Sequence, residues 1–417
     1  MWKYPKESLQ KIVQLTLETV RPLLNYSAFF EAQQTTMFWV LESILPYLNI
    51  NKEVTKDNVT FRILTELAFG TFMACSILVG STSFIGEAIT CTGYKNTDDT
   101  EDAEFANTYC WIHGTRDLVG KIASEECQPA ESDIEDNKTR NLYYQWVVFM
   151  LFFSAILFKI PTWTWSSLEN GLMKLFSSEN HDILNQNETE MEEKAEMHAS
   201  SFRKIKGRNM TMFYYIKFMI CQGLAGAILI LNFYLTNLFL DGDFDTYGWD
   251  VYEYWKKKDI STGGKNPMCL IFPTKVGCNV VIGDSSGKPE EKNIYCILSQ
   301  NIINEKIYLF LWFWFCAMIA LLAFQIALEI IIFVSPLVRN FLIVPSGDLT
   351  QANQRFLATC TIGDWFVLYQ ISKNNHHDYF STFLGKLSEG YDKIAPEENH
   401  CDPTSSQSIV STENVEK

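Results

Sequence analysis

The chain has 417 residues, of which 47% are hydrophobic and 14% aromatic, and its formal net charge is −15. A chain this acidic cannot neutralise a phosphate backbone, so its charge excludes a nucleic-acid-binding protein. The mean hydropathy of −0.02 is the average of very apolar and very polar stretches. The distribution of apolar residues along the chain therefore decides the class of protein.

Four long apolar blocks predict transmembrane helices. They are 18 to 28 residues long and cover residues 67–89, 143–160, 213–240 and 307–334. About 20 residues of α-helix cross a hydrocarbon core that is about 30 Å thick. Helices buried in a soluble domain rarely stay uncharged on every face for this length. We therefore predict an all-α polytopic membrane protein with four transmembrane helices.

Loop charges and cysteines predict the side of the membrane that each loop occupies. Four basic residues between 203 and 208 precede the third span, which favours the cytosol for the loop at 161–212. The loops at 90–142 and 241–306 contain three cysteines each, whereas the loop at 161–212 contains none. Clustered, even-numbered cysteines are typical of an oxidising compartment. We therefore expect two extracellular loops and both termini in the cytosol.

Five short motifs are similar to those of one protein family. They lie in order on either side of the spans: Tyr109-Cys110-Trp111-Ile112-His113, Tyr143-Tyr144-Gln145-Trp146-Val147, Asp241-Gly242-Asp243-Phe244, Asn304 to Trp314, and Ile362-Gly363-Asp364-Trp365. With these motifs the chain resembles the innexins, the invertebrate gap-junction proteins, over about residues 37 to 390. The pentapeptide that begins with Tyr143 is the signature of that family.

The resemblance implies a subunit of a large-pore channel. Innexins assemble into rings, reportedly octamers, called hemichannels. Two rings from adjacent cells dock through their extracellular loops, and ions and small molecules then diffuse between the cells. The implied location is the plasma membrane at a gap junction, with membrane lipid and the same or other innexin subunits as partners.

Two other functions stay open beside the gap junction. One is a non-junctional hemichannel that releases small metabolites, as the related pannexins do. The other is a non-conducting four-span adhesion or scaffold protein, although the loop motifs of tetraspanins and claudins are absent. An enzyme is not expected, because the chain lacks Walker A, Gly-x-Ser-x-Gly and His-Glu-x-x-His motifs. Cofactors and metal sites are not expected either.

The loop cysteines carry the most specific expectation. In innexins the first cysteine of one loop pairs with the last cysteine of the other. The resemblance therefore implies the disulfides Cys91–Cys296 and Cys110–Cys278, which would make the docking surface rigid. Cys127 and Cys269 depart from the family's usual two cysteines per loop. We hypothesise a third disulfide between them, and the alternative is two free or intermolecular thiols.

Candidate pore-lining residues lie along the first span and before it. Ser76, Gly80, Ser83 and Glu87 recur at spacings of four, three and four residues, which places them on one helical face. The innexins line their pore with this span, so Ser76, Ser83 and Glu87 are pore-lining candidates. Close helix packing is the alternative for the small residues.

The resemblance also implies a role for the segment that precedes span one. The segment that begins with Met37, Phe38 and Trp39 looks like the usual start of an innexin, which folds into the pore and lines its cytosolic half. Residues 1–36 would be an extension, and translation starting at Met37 is the alternative. Intact mass of the purified protein distinguishes the two.

Three further sites are predicted with open alternatives. The acidic run at residues 98–104 is either a solvated loop or part of a cation-focusing outer mouth, in a loop with twelve acidic and five basic residues. Pro161 either kinks span two or ends it. Asn137 heads a glycosylation sequon that lies near span two.

The predicted boundaries divide the chain into eleven parts. These are the extension 1–36, the pore-entering segment 37–66, span one 67–89, extracellular loop one 90–142, span two 143–160, the cytoplasmic loop 161–212, span three 213–240, extracellular loop two 241–306, span four 307–334, a cytoplasmic helical region 335–395 and a disordered tail 396–417. We expect some β structure in the extracellular loops and a helical cytoplasmic domain.

Overall fold

The computed structural model describes residues 54–85, 87–92, 100–117, 140–177, 188–257, 266–283, 289–343 and 350–392. Several predictions fall outside these residues and stay predictions. They concern the extension 1–36, Met37, Phe38, Trp39, the start of the acidic run, Cys127, Asn137 and the tail 396–417.

Helices dominate the described residues. In chain order the helices are α1 (Val59–Arg62), a π-helical turn (Ile63–Leu67), α2 (Ala68–Ile85), α3 (Thr100–His113), α4 (Tyr143–Glu169), α5 (Leu172–Phe176), α6 (Glu188–Gly207), α7 (Met210–Phe239), α8 (Phe244–Lys257), α9 (Pro267–Ile271), α10 (Ser299–Val334), α11 (Pro336–Ile343), α12 (Gln351–Ala358), α13 (Ile362–Asn374) and α14 (His377–Asp392). The strands are β1 (Thr90–Thr92), β2 (Thr115–Asp117), β3 (Arg140–Asn141), β4 (Lys275–Gly283) and β5 (Pro289–Ile297).

Four of these helical segments are long and apolar enough to cross a membrane, as predicted. Span one runs from α1 through the π-helical turn into α2, span two is α4, span three is α7 and span four is α10. Their shared apolar core includes Phe72, which contacts Phe158 of span two and Phe315 of span four at ring-centroid distances of 5.2 and 5.6 Å. The four spans therefore pack as one bundle.

Span one begins at Val59, earlier than the predicted residue 67, so residues 59–66 belong to the span and not to the pore-entering segment. The charged residues that made this start hard to predict from the sequence form ion pairs. Arg62 lies 2.8 Å from Asp57, and Lys159 of span two forms an ion pair with Glu66. Phe61 is 1% exposed, so packing at this end extends the helix beyond the uncharged block.

Pro161 does not end span two, and that prediction is wrong. The helix continues to Glu169, because a proline removes only one backbone hydrogen bond and the following turns are well packed. Trp165 is 2% exposed, and its indole nitrogen donates to the Lys56 carbonyl oxygen at 3.1 Å. The helix ends where Asn170 adopts a left-handed conformation. A kink at Pro161 stays a prediction.

Two assemblies close the ends of the bundle. The cap consists of the five strands with α3, α8 and α9, and its sheet has the order β1-β5-β4-β2-β3 with antiparallel neighbours. The first loop contributes β1, β2 and β3, and the second contributes β4 and β5. Backbone hydrogen bonds therefore join the two loops into one sheet, which confirms the predicted β structure.

The helical domain lies at the other end of the spans. It consists of α5, α6 and α11 to α14, packed on the adjoining ends of spans one, two and three around a core rich in aromatic side chains. Phe202 of α6 is fully buried and contacts Phe176 and Phe383 at ring-centroid distances of 6.5 and 6.3 Å. The loop at 161–212 and the region after span four thus form one domain.

Candidate functional site

The two loops are joined by disulfides at the centre of the cap. Cys91 bonds to Cys296 and Cys110 bonds to Cys278, the same pairs that the resemblance implies. Cys91 and Cys296 stand directly opposite each other on β1 and β5. The sulfur atoms of Cys91, Cys110 and Cys296 lie within 4.8 Å of one another. The two disulfides therefore sit side by side, and their oxidised sulfurs offer no thiolate to a metal.

Cys269 is also disulfide-bonded. It is 3% exposed in α9, and its partner lies outside the described residues. A free Cys269 thiol, one of the two alternatives, is therefore wrong. Cys127 as the partner stays a prediction.

The signature pentapeptide links span two to the cap. The Tyr143 hydroxyl donates to the Ile271 carbonyl oxygen at 3.1 Å and accepts from the Asn301 amide at 2.8 Å. Tyr144 and Gln145 donate to the carbonyl oxygen of Trp111, at 3.4 Å from the Tyr144 hydroxyl. This part of the motif therefore connects both loops to the first turn of span two.

The last two residues of the pentapeptide have different surroundings. Val147 is fully buried in the bundle, whereas Trp146 is 60% exposed. Trp146 lies next to Phe149, at a ring-centroid distance of 5.8 Å. An exposed aromatic pair at the end of a span suits the membrane interface.

Three buried amide side chains form a cluster at the start of span four. Gln300 and Asn301 were missed from the sequence, and Asn304 was noted only as the first residue of a motif. Asn301 donates to the Pro273 carbonyl oxygen at 2.8 Å as well as to Tyr143, and Asn304 donates to Asn301 at 3.2 Å. Gln300 donates to the Val79 carbonyl oxygen of span one at 3.1 Å. All three are at most 1% exposed. Amides clustered in the first turns of an otherwise apolar helix were the available signal.

The segment after span three forms a tight connection to α8. Asp241 and Gly242 have φ angles of 55° and 95°, a conformation that glycine adopts without strain. The Asn237 side-chain oxygen accepts the backbone N–H groups of Phe244 and Asp245 at 3.0 and 3.1 Å. The motif therefore ends one helix and starts the next, with Phe244 fully buried.

One pore-lining candidate of span one, Ser76, has other surroundings than expected. Ser76 is 5% exposed and donates to the Val148 carbonyl oxygen of span two at 3.0 Å, so its assignment to the pore is wrong. A Cβ on Gly80 would also lie 3.6 Å from Val148. The small residues therefore serve close helix packing, the alternative interpretation. The side chain of Ser83 is outside the described part of the structure.

Glu87 does not share that helical face, because α2 ends at Ile85. Its carboxylate is exposed and accepts from the Thr90 hydroxyl at 3.1 Å and from the Asn107 amide of α3 at 3.3 Å. Glu87 therefore lies at the junction of span one and the cap, accessible to solvent. Its position facing the pore stays a prediction.

The motif in the helical domain fastens α13 to span three. Thr361 and Asp364 form a capping box at the start of α13. Asp364 is 1% exposed, and its other oxygen accepts from the Thr211 hydroxyl at 2.6 Å. A Cβ on Gly363 would lie 2.6 Å from the Met212 Cα atom, so only glycine permits this close approach.

Four spans and two loops joined by disulfides define the class, a polytopic membrane protein with a covalently closed cap. The sequence model of the innexin family matches residues 57–391. Innexin inx2 of Drosophila melanogaster is 32% identical over 84% of this chain and 95% of its own length. Innexin inx2 of Schistocerca americana is 33% identical over 81% and 94%, and innexin shaking-B of Drosophila melanogaster is 31% identical over 77% and 86%.

The chain belongs to the innexin family. It is a gap-junction or hemichannel subunit, a multi-pass protein of the plasma membrane that forms oligomeric channels with innexin subunits. Innexins are a family of channel proteins.

Proposed function

We propose that the chain forms a ring of eight subunits whose caps face outside the cell and dock onto the caps of an adjacent cell. The observation that carries this proposal is the pair of disulfides that joins both loops into one sheet. A docking surface benefits from fixed backbone, because ordering it on contact would weaken binding. Disulfides form in oxidising compartments, which favours the extracellular side for the cap and the cytosol for both termini.

The rest of the proposal concerns the pore and the cap's third disulfide. The segment beginning at Met37 lines the cytosolic half of the pore, and Glu87 faces its outer mouth. Cys127 bonds to Cys269 as a third link between the loops. A ring repeats the Glu87 carboxylate and the acidic run around one axis, and this charge attracts cations to the mouth.

Paired-cell recording tests the docking proposal. Junctional current between two cells that both express the chain, in a background without other gap-junction proteins, is the expected result. Current in single cells alone would instead indicate the non-junctional hemichannel. No current in either configuration, with the protein at the cell surface, would indicate the adhesion or scaffold alternative.

The orientation has its own test. A peptide epitope added after Lys417 should bind antibody only in permeabilised cells. Binding in intact cells would contradict a cytosolic C-terminus.

Glu87→Gln tests the charge at the mouth. Reversal potentials of hemichannel currents in a salt gradient should show a reduced preference for cations. The matched control is Glu291→Gln, which removes an exposed carboxylate from β5 in the same cap. Equal reversal potentials for Glu87→Gln and the unmodified protein would contradict the position of Glu87 at the pore.

A further inference from the structure

A row of exposed apolar side chains continues beyond the end of span four. Phe333 and Val334 at the end of α10 are 64% and 71% exposed, and Leu337 and Phe341 of α11 are 80% and 64% exposed. Leu337 and Phe341 are four residues apart, so they lie one above the other on a single face of α11. Large apolar surfaces of this kind mark contact with a membrane or another protein.

The opposite face of α11 is fixed by the helical domain. The indole nitrogen of Trp365 donates to the Arg339 carbonyl oxygen at 2.7 Å, and Ile343 is 3% exposed in the core of that domain. The orientation of α11 is therefore set by its buried side. Leu337 and Phe341 point away from the protomer as a consequence.

The position of α11 along the chain places it at the membrane boundary. Only Ser335 separates α11 from α10, and Pro336 is the first residue of α11. Ser335 has an extended backbone with φ −104° and ψ 107°, so the chain changes direction there. The apolar block of span four ends at Val334, so α11 begins where that block stops.

Two observations favour lipid as the occupant of the exposed face of α11. Span four buries 11% of its most apolar stretch within the protomer, against 33–44% in the other three spans, and the α11 row continues its exposed surface. Arg339 provides the one charged side chain of α11, and its guanidinium donates to the Phe333 carbonyl oxygen at 3.3 Å. An arginine close to the end of a membrane span can place its charge at the headgroups.

We infer that α11 is an interfacial membrane helix that inserts Leu337 and Phe341 at the boundary between headgroups and acyl chains. A short amphipathic helix of this kind lies in the plane of the interface with its apolar face toward the acyl chains. Through Trp365 it ties the helical domain to the bilayer. This anchor is independent of docking and of the side on which the cap lies.

Site-directed spin labelling tests the inference in the full chain reconstituted in bilayer nanodiscs. Leu337→Cys and Phe341→Cys are made in a background that carries Cys316→Ser, Cys360→Ser and Cys401→Ser, and the unmodified background measures residual labelling. Collision with oxygen, which concentrates in lipid, is compared with collision with a water-soluble nickel chelate. Phe324→Cys, exposed on span four, is the lipid reference, and Met197→Cys, exposed on α6, is the water reference.

The expected result is that both α11 labels resemble the lipid reference, with several-fold less collision with nickel than the water reference. Nickel access equal to that of the water reference would overturn the inference. Low access for both reagents would also overturn it, because it would place α11 against a neighbouring subunit. Channel recording is not part of this readout, so failure of the proposed docking leaves the result intact.

Discussion

The cap and the helical domain close opposite ends of the same four spans, but different forces hold them together. Among the described residues the core around the sheet and α3 of the cap has ten buried members, and two disulfides reach across 205 and 168 residues of sequence. The core that the helical domain shares with the adjoining span ends has 24 buried members, and its described cysteines, Cys221 and Cys360, are free. A small core needs covalent links, whereas a large aromatic core holds its helices without them.

This difference in disulfide bonding fits the proposed compartments, with the cap outside the cell and the helical domain in the cytosol. Reducing conditions in the cytosol would remove a structural disulfide, so a domain there must depend on packing and hydrogen bonds. Burial raises the pKa of the Cys360 thiol to about 11, which keeps it protonated and unreactive at neutral pH. The cap is thus fixed covalently, and the helical domain is held by packing and hydrogen bonds.

The largest expected effect comes from removing one disulfide of the cap. Cys110→Ser combined with Cys278→Ser should destabilise the cap by about 2–5 kcal/mol, because the unfolded loops regain their freedom. Limited proteolysis should then cut the cap while the helical domain stays resistant, and junctional current should be lost.

The matched control for the disulfide makes the same chemical change in the other region. Cys360→Ser should leave protease resistance and current unchanged, since that thiol has no disulfide to lose. If the cap stays resistant to protease without Cys110 and Cys278, the sheet is sufficient to hold the two loops together without this disulfide.

The next effect concerns packing in the helical domain. Gly363→Ala places a methyl group 2.6 Å from the Met212 Cα and 2.8 Å from the Thr211 carbonyl carbon, and backbone cannot move aside cheaply. We expect a loss of about 1–3 kcal/mol, measured as a lower thermal midpoint of the helical domain in detergent. The cap should be unaffected.

Gly385→Ala is the control for Gly363→Ala and should have the opposite sign. Nothing lies within 4 Å of the added Cβ on α14, and alanine favours a helix over glycine by about 0.5–1 kcal/mol. A lower midpoint for Gly385→Ala as well would mean that glycines in this domain matter for another reason.

A smaller effect is expected where the cap joins the spans. Tyr143→Phe removes a hydroxyl that both donates and accepts, leaving the Ile271 carbonyl and the Asn301 amide each without one partner. The expected cost is about 1–2 kcal/mol, read as a lower midpoint for the cap. The control is Tyr308→Phe, since the buried Tyr308 hydroxyl has no hydrogen-bond partner in the described structure. Equal costs for the two variants would contradict a specific role for Tyr143.

The sequence was sufficient to predict features that depend on the composition of a long stretch or on motifs shared with a known family. Uncharged length predicts the four spans, and the innexin resemblance implies the two observed disulfides. The start of span one was missed because Arg62 and Glu66 look like the end of a hydrophobic block. Arg62 is paired with Asp57, just before α1, and Glu66 is paired with Lys159 of span two. No local pattern reveals the second pair.

Periodicity also has a specific limit. It placed Ser76 and Gly80 on one face correctly but could not tell that this face meets span two. It also carried the helix as far as Glu87, two residues beyond its end at Ile85. Gln300 and Asn301 were missed, and Asn304 was not recognised as part of a buried cluster, because polar residues at a helix start usually signal exposure, whereas here all three are buried.

The smallest expected effect is a pH dependence confined to the helical domain. His198 of α6 is 7% exposed, its ring nitrogen lies 2.6 Å from the Tyr379 hydroxyl of α14, and its ring meets Phe176 of α5. Burial and the nearby Lys194 lower the pKa of His198 below its usual value of about 6.5. The folded domain therefore favours the neutral ring.

The sign of that dependence follows from proton binding. As pH falls below about 6.5 the unfolded chain takes up a proton at His198 before the folded domain does, so stability is full above that pH and declines through the lowered pKa. Thermal midpoints at pH 7.5 and 5.5 should differ less in His198→Gln than in the unmodified protein. His377→Gln, which alters an exposed histidine of the same domain, should keep the full difference. An unchanged difference in His198→Gln would assign the acid sensitivity to other groups.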